Sequence, residues 1–74
     1  MSRMSDMTVD EAMELVDEIV ALADDVPDRG ADFAESVREK SLSIGETIER
    51  TDRVTEAQAE ALENMRNGLL RWMD

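Results

Sequence analysis

The chain has 74 residues, enough for one small domain, and its formal net charge at pH 7 is -11. It contains neither cysteine nor histidine, which excludes disulfides and thiolate or imidazole metal sites and removes the side chain most often used as a general base. The negative charge excludes direct binding of nucleic acid through a basic stripe and disfavours a membrane surface. We therefore expect no enzymatic activity, no metal and no other cofactor.

The start of the chain, residues 1–7, has no helical periodicity, and a flexible N-terminal tail is predicted there. This segment lacks the apolar core of a signal peptide, and no apolar run in the chain approaches the roughly 18 residues that span a bilayer. We expect a soluble cytoplasmic protein in which residues 8–74 form a single helical domain.

A first helix is predicted over about residues 8–25. Thr8 and Glu11 have the spacing of a capping box, and Met7 is placed to staple onto the first turn. The helix should end before Pro27, because the residue preceding a proline is driven out of helical backbone angles. At about 100° per residue the acidic side chains occupy one half of the cylinder and the apolar ones the other. The apolar half contains Val9, Ala12, Met13, Leu15, Val16, Ile19, Val20, Leu22, Ala23 and Val26.

After a turn signal at residues 27–30, a second helix is predicted over about residues 30–50. Lys40, Ser41 and Gly45 lie on or near its apolar stripe and weaken it, and a glycine costs about 1 kcal/mol relative to alanine inside a helix. Two interpretations of Gly45 stay open: it permits a close helix crossing, or it is a weak point or kink. The stripe itself consists of Phe33, Val37, Ile44 and Ile48.

A third helix is predicted over about residues 55–73, opened by a second capping box at Thr55 and Gln58. Its apolar positions recur at alternating spacings of four and three, the seam of a helix packed on a neighbour. With two short connections, the three helices predict an all-α, up-down-up bundle. The seam contains Gln58, Leu62, Met65, Leu69 and Trp72, and the methionines expected to pack in the core are Met13, Met65 and Met73.

The acidic residues around Gly30 invite comparison with a calcium loop of the EF-hand type. Aligning that loop to Asp25 puts Gly30 at its sixth position, but Pro27, Arg29 and Ser36 then fall where oxygen ligands and a bidentate Glu are needed. A carboxylate-bridged metal bundle needs Glu-x-x-His pairs facing its interior, and the chain has no histidine. We therefore interpret residues 27–30 as a plain turn.

The negative charge is concentrated on the first helix, because residues 1–27 carry -7 while residues 28–53 and 54–74 carry -2 each. Its acidic half forms a rod roughly 22 Å long, which could imitate a nucleic-acid backbone for a protein that grips phosphates with Arg and Lys. The alternative is that this half is only the solvated side of an amphipathic helix. The predicted partner-binding residues are Asp10, Glu14, Asp17, Glu18 and Asp25.

Two leucines fall outside the predicted apolar seams. Leu42 lies on the side of the second helix opposite the stripe, and Leu70 lies at the edge of the third-helix seam. Both should be exposed in a monomer, where they would contribute to a surface for a partner or for self-association.

The C-terminal part resembles the end of small uncharacterised helical proteins of bacterial and phage genomes, over about a quarter of the chain. The pattern comprises Val54, Thr55, Gln58, Leu62, Asn64, Met65, Gly68, Leu69 and Trp72, and it transfers no functional residue. In size, acidity and lack of catalytic groups the whole chain is similar to phage-encoded inhibitors such as anti-CRISPR proteins. That similarity implies an inhibitor that occludes a basic nucleic-acid-binding surface on its target.

Two functions follow as hypotheses. The first is a non-enzymatic module that binds a protein partner with a basic surface through the acidic half of the first helix. The second is a structural or assembly protein that self-associates as a homo-oligomer through apolar seams, with the acidic half serving only solubility.

Overall fold

The computed structural model describes residues 7–73, and it confirms the all-α three-helix bundle. The helices are α1 (Val9–Asp25), α2 (Ala31–Thr51) and α3 (Glu56–Met73), with a 3-10 turn at Asp28–Gly30 between the first two. These bounds lie within one residue of those predicted. Residues 1–6 of the predicted tail lie outside the described residues, whereas Met7 packs against the hydrophobic core.

Both predicted capping boxes are present. The backbone N–H of Thr8 donates to Glu11 Oε1 at 3.0 Å, and the N–H of Glu11 donates to Thr8 Oγ1 at 3.1 Å. At the start of α3 the N–H of Thr55 donates to Gln58 Oε1 at 2.9 Å, and the N–H of Gln58 donates to Thr55 Oγ1 at 3.1 Å. Each box satisfies backbone donors that the first helical turn leaves without intrahelical partners, so it fixes where the helix begins.

The ends of α1 and α2 follow from local backbone preferences. Val26 has extended angles, φ -70° and ψ 136°, as a residue before proline requires, and α1 stops at Asp25. Asp52 closes α2 in the left-handed region at φ 58°, and its N–H donates to the Ile48 carbonyl at 2.7 Å. Aspartate tolerates this conformation better than most residues with a side chain.

Helix α1 is the centre of the bundle. It packs extensively against both α2 and α3, whereas α2 and α3 touch each other much less. The described part of the chain measures 37 × 26 × 16 Å, so the bundle is flattened. The buried apolar side chains are Ala12, Leu15, Val16, Ile19, Ala34, Val37, Ile48, Ala59, Leu62 and Leu69.

Gly45 faces α1, and an added Cβ there would make only ordinary contacts, so both interpretations of this glycine stay open. Helix α2 runs unbroken through Gly45, which is buried, and a Cβ atom placed there would lie 3.4 Å from Val16 Cγ2 and 3.5 Å from Met13 Cε. Ser41 is also completely buried, and its hydroxyl donates to the Arg38 carbonyl at 2.8 Å. Both small residues therefore lie on the buried side of α2, where Gly45 faces Val16 and Met13 of α1.

Two predicted core residues are misplaced. Phe33 is 41% exposed and Met73 is 37% exposed, so the expectation that they pack in the core is wrong. Phe33 lies on the α3 side of α2, where a Cβ added at Gly68 would lie 3.1 Å from its ring. Because α2 and α3 make few contacts, a side chain on this edge is covered on one side only. Met73 is the final residue of α3.

Trp72 joins the end of α3 to the first turn. A Cβ atom at Gly30 would lie 3.0 Å from the indole ring and 2.7 Å from Val26 Cγ1. The guanidinium of Arg29 lies over the indole ring of Trp72, 5.8 Å from the ring centroid. Gly30 is thus required for space, because Val26 and Trp72 fill the volume that a side chain would need.

Candidate protein-binding surface

The five acidic residues predicted to bind a partner share one exposed face of α1. They are called the acidic face below: Asp10, Glu14, Asp17, Glu18 and Asp25 are all exposed. The buried residues of the same helix, Ala12, Leu15, Val16 and Ile19, point to the other side. The structure therefore confirms the division of α1 into an apolar and an acidic half, while the role of the acidic half is a separate question.

Most of the acidic face has no cationic neighbour. Among residues 7–73 one ion pair forms, between Arg66 Nη1 on α3 and Glu18 Oε1 at 3.6 Å. The other four carboxylates of the acidic face make no ion pair or hydrogen bond with this part of the chain. Asp24, which lies beside them, is likewise unpaired within residues 7–73. The negative charge of α1 is therefore largely uncompensated by the described residues.

The carboxylates are spread along the helix instead of converging on one point. Within the described ranges, no group of three Asp or Glu side chains is arranged to hold a metal ion. A row of separate charges suits an extended cationic surface better than a single small ion.

An open groove of about 520 Å³ runs beside the acidic face, between α1 and α3. Its apolar part comes from Met7 and Leu15, and its polar part comes from both helices. The lining residues are Met7, Glu11, Glu14, Leu15, Glu18, Glu63 and Arg66. Two members of the acidic face, Glu14 and Glu18, thus also form one wall of this groove. A smaller depression of about 270 Å³ lies between the end of α1 and the start of α2.

Arg66 is the one cationic residue of the groove, and its bonding is incomplete. Its distance of 3.6 Å to Glu18 is longer than a direct hydrogen bond. Its Nε atom is buried without an acceptor among the described residues. The guanidinium is therefore attracted to the carboxylates around it without being locked by them.

The two leucines predicted to be exposed are so: Leu42 is 45% exposed and Leu70 is 39% exposed. Leu70 lies one helical turn beyond Arg66 on α3, so the two side chains share a face of that helix. Leu42 projects from α2, which packs on the other flank of α1. The two leucines therefore project from different helices, α2 and α3, which make few contacts with each other.

Glu63 and Arg66 were missed by the sequence reasoning. Each follows a residue of the α3 seam, Leu62 or Met65, by one position, which turns it about 100° away from that residue around the helix. Which edge faces α1 depends on the handedness of the bundle, and hydrophobic periodicity is the same for both hands.

Comparisons of this chain with protein-family models, with curated proteins and with solved structures found no match. Within residues 7–73, no helix combines the length and the apolar character needed to cross a bilayer.

Proposed function

We propose that this chain is a non-enzymatic protein-binding module whose acidic face binds a basic surface on a partner. Where that surface normally holds nucleic acid, the bound module would occlude it and act as an inhibitor. This is the mode of action implied by the similarity to anti-CRISPR proteins in size and acidity.

The observation that carries the proposal is the uncompensated charge of α1. Seven carboxylates lie between Asp10 and Asp25, a rise of roughly 22 Å, which gives one negative charge per 3 Å or so. Phosphates along one strand of DNA are spaced at about 3.4 Å. A surface of Arg and Lys side chains that follows a phosphate backbone would thus meet a similar charge density on α1.

The setting of these carboxylates favours binding over catalysis. Acid–base catalysis by paired carboxylates needs a desolvated cleft that drives their pKa values apart, whereas the acidic face lies in solvent. Exposed charges of one sign steer an oppositely charged protein toward the surface and increase its association rate.

The test is affinity capture from the native cell with the full chain as bait, followed by a salt titration. The Debye length falls from about 10 Å at 0.1 M salt to about 3 Å at 1 M, so a partner held by the acidic face should be released steeply over this range. A triple variant, Asp10→Asn with Asp17→Asn and Asp25→Asn, should lose the partner. The recovered partner should also lose its binding to DNA or RNA when the wild-type chain is added.

A matched control removes the same charge elsewhere. Glu39→Gln, Glu46→Gln and Glu60→Gln change three exposed carboxylates on α2 and α3, and this variant should retain the partner. A partner captured equally well at 1 M salt, or by both triple variants alike, would contradict the proposal.

Self-association is the second candidate, and the exposed apolar side chains favour it. Three of the four large exposed hydrophobics, Phe33, Leu70 and Met73, lie where α2 begins and α3 ends. Sedimentation at micromolar concentration distinguishes the two functions. A dimer or higher oligomer that Leu70→Ser dissociates would support this candidate, and a monomer would exclude it.

A further inference from the structure

The groove between α1 and α3 has a composition that the acidic face lacks. Four carboxylates, from Glu11, Glu14, Glu18 and Glu63, surround an apolar floor formed by Met7 and Leu15. Arg66 is its one cationic member, so the groove keeps three negative charges in excess. The groove has a volume of about 520 Å³ and is open to solvent, so a side chain can enter it from outside.

We propose that this groove receives an arginine side chain of the basic partner. The proposal rests on the proposed function, since it names the residue by which such a partner would be anchored. Arginine has an aliphatic stem that packs on apolar surface and a planar guanidinium that pairs with carboxylates in a fork. The groove offers both surfaces, whereas the acidic face offers charge alone. Lysine carries a compact, strongly hydrated charge that cannot pair with carboxylates in a fork, so it would gain less from this groove.

Arg66 competes with the incoming arginine for the carboxylate of Glu18. Its guanidinium is held by one carboxylate at 3.6 Å, and its Nε has no acceptor among the described residues. An incoming guanidinium would take over Glu18 and shift Arg66 toward solvent, where part of its side chain already lies. Removing Arg66 should therefore strengthen the binding of the incoming group.

The experiment uses capped hexa-arginine and hexa-lysine peptides as probes, titrated into the full chain at 0.1 M salt and followed by calorimetry and by NMR of backbone amides. Glu63→Gln should weaken hexa-arginine binding by about three- to tenfold, the scale of a lost charge-assisted hydrogen bond. Glu60→Gln removes the same charge from an exposed site on α3 outside the groove and should weaken it by less than about twofold. Hexa-lysine should bind more weakly and should respond less to Glu63→Gln.

A second matched pair tests the competitor. Arg66→Gln should strengthen hexa-arginine binding by several fold, whereas Arg71→Gln, the same charge change on an exposed part of α3, should have a much smaller effect. Thermal unfolding of each variant checks that the fold is unchanged. If Glu63→Gln unfolds, it is replaced by Glu63→Asp, which keeps the charge but shortens the side chain.

The outcomes separate this proposal from the broader one. Equal effects of Glu63→Gln and Glu60→Gln, with a larger effect of Asp17→Asn, would overturn the groove and leave the acidic face in place. Equal binding of hexa-lysine and hexa-arginine would overturn the assignment to arginine. If neither the groove variants nor the triple variant of α1 alters hexa-arginine binding, both proposals fail.

Discussion

The two interfaces of α1 are built differently. Toward α2 the contact includes two small buried residues, Ser41 and Gly45, beside the completely buried side chain of Ile48. Toward α3 the completely buried side chains are two leucines, Leu62 and Leu69. The rim of the α3 interface holds the open groove and the one ion pair found within residues 7–73.

This difference shows how a small bundle divides stability and binding between its helices. Small residues in a helix interface let the two helices pack with little empty space between them. Many atoms are then in contact, and each contact stabilises the fold only slightly. Large side chains in the α3 interface supply apolar burial, while the long charged side chains at its rim remain partly solvated. A bundle of this size has little stability in reserve, so the two interfaces can be distinguished by substitution.

The largest effect is expected in the α3 interface. Leu62→Ala and Leu69→Ala should each lower the free energy of unfolding by about 2–5 kcal/mol, because each leaves a cavity beneath α1. Chemical denaturation followed by circular dichroism measures this. Leu70→Ala, adjacent to Leu69 but exposed, should change it by less than about 0.5 kcal/mol. Equal losses for Leu69 and Leu70 would show that α3 is rotated from the orientation described.

The α2 interface should respond to added volume instead. Ser41→Leu places a larger side chain at a completely buried position, and it should destabilise the fold by about 1–3 kcal/mol. Ser43→Leu makes the same change two residues away on an exposed position of α2 and should be close to neutral. Tolerance of Ser41→Leu in the same denaturation experiment would mean that α1 and α2 are further apart than the structure places them.

Local signals explain why the helices could be predicted from the sequence. The capping boxes at Thr8 and Thr55 and the proline after Val26 act within a few residues, and all three appear where expected. The exposure of Phe33 could not be predicted in this way, because it depends on how closely α2 approaches α3.

The candidate site was predictable in part for the same reason. The exposure of the acidic face follows from helical periodicity on α1 alone. The groove requires α3 to lie beside Glu14 and Glu18, and that is a property of the bundle's handedness. Glu63 and Arg66 therefore became candidates only with the fold.

A smaller effect, of opposite sign, is expected at Gly45. Replacing a helical glycine by alanine gains about 1 kcal/mol in helix propensity, and the added Cβ would make ordinary contacts with Val16 and Met13. Gly45→Ala should therefore raise the melting temperature slightly. Gly30→Ala is the contrasting variant, because its Cβ would lie 2.7 Å from Val26 Cγ1, and it should lower the melting temperature. A loss of stability at Gly45 would mean that α1 and α2 cross with no space for even one methyl group.

The smallest effect on stability is expected for Glu14 and Asp17 of the acidic face, which are exposed and make no ion pair within residues 7–73. Glu14 lies four residues after Asp10, three before Asp17 and four before Glu18, so like charges repel along one side of α1. Glu14→Gln with Asp17→Asn removes part of this repulsion without touching a buried residue, and the free energy of unfolding should stay the same or rise by up to about 0.5 kcal/mol. Denaturation at low and at high salt measures the change, which should shrink as salt screens the repulsion. If this variant unfolds while Leu62→Ala is silent, the assignment of buried and exposed faces on α1 is wrong. If it folds normally but no longer binds the basic partner, the carboxylates of α1 serve recognition and not solubility alone.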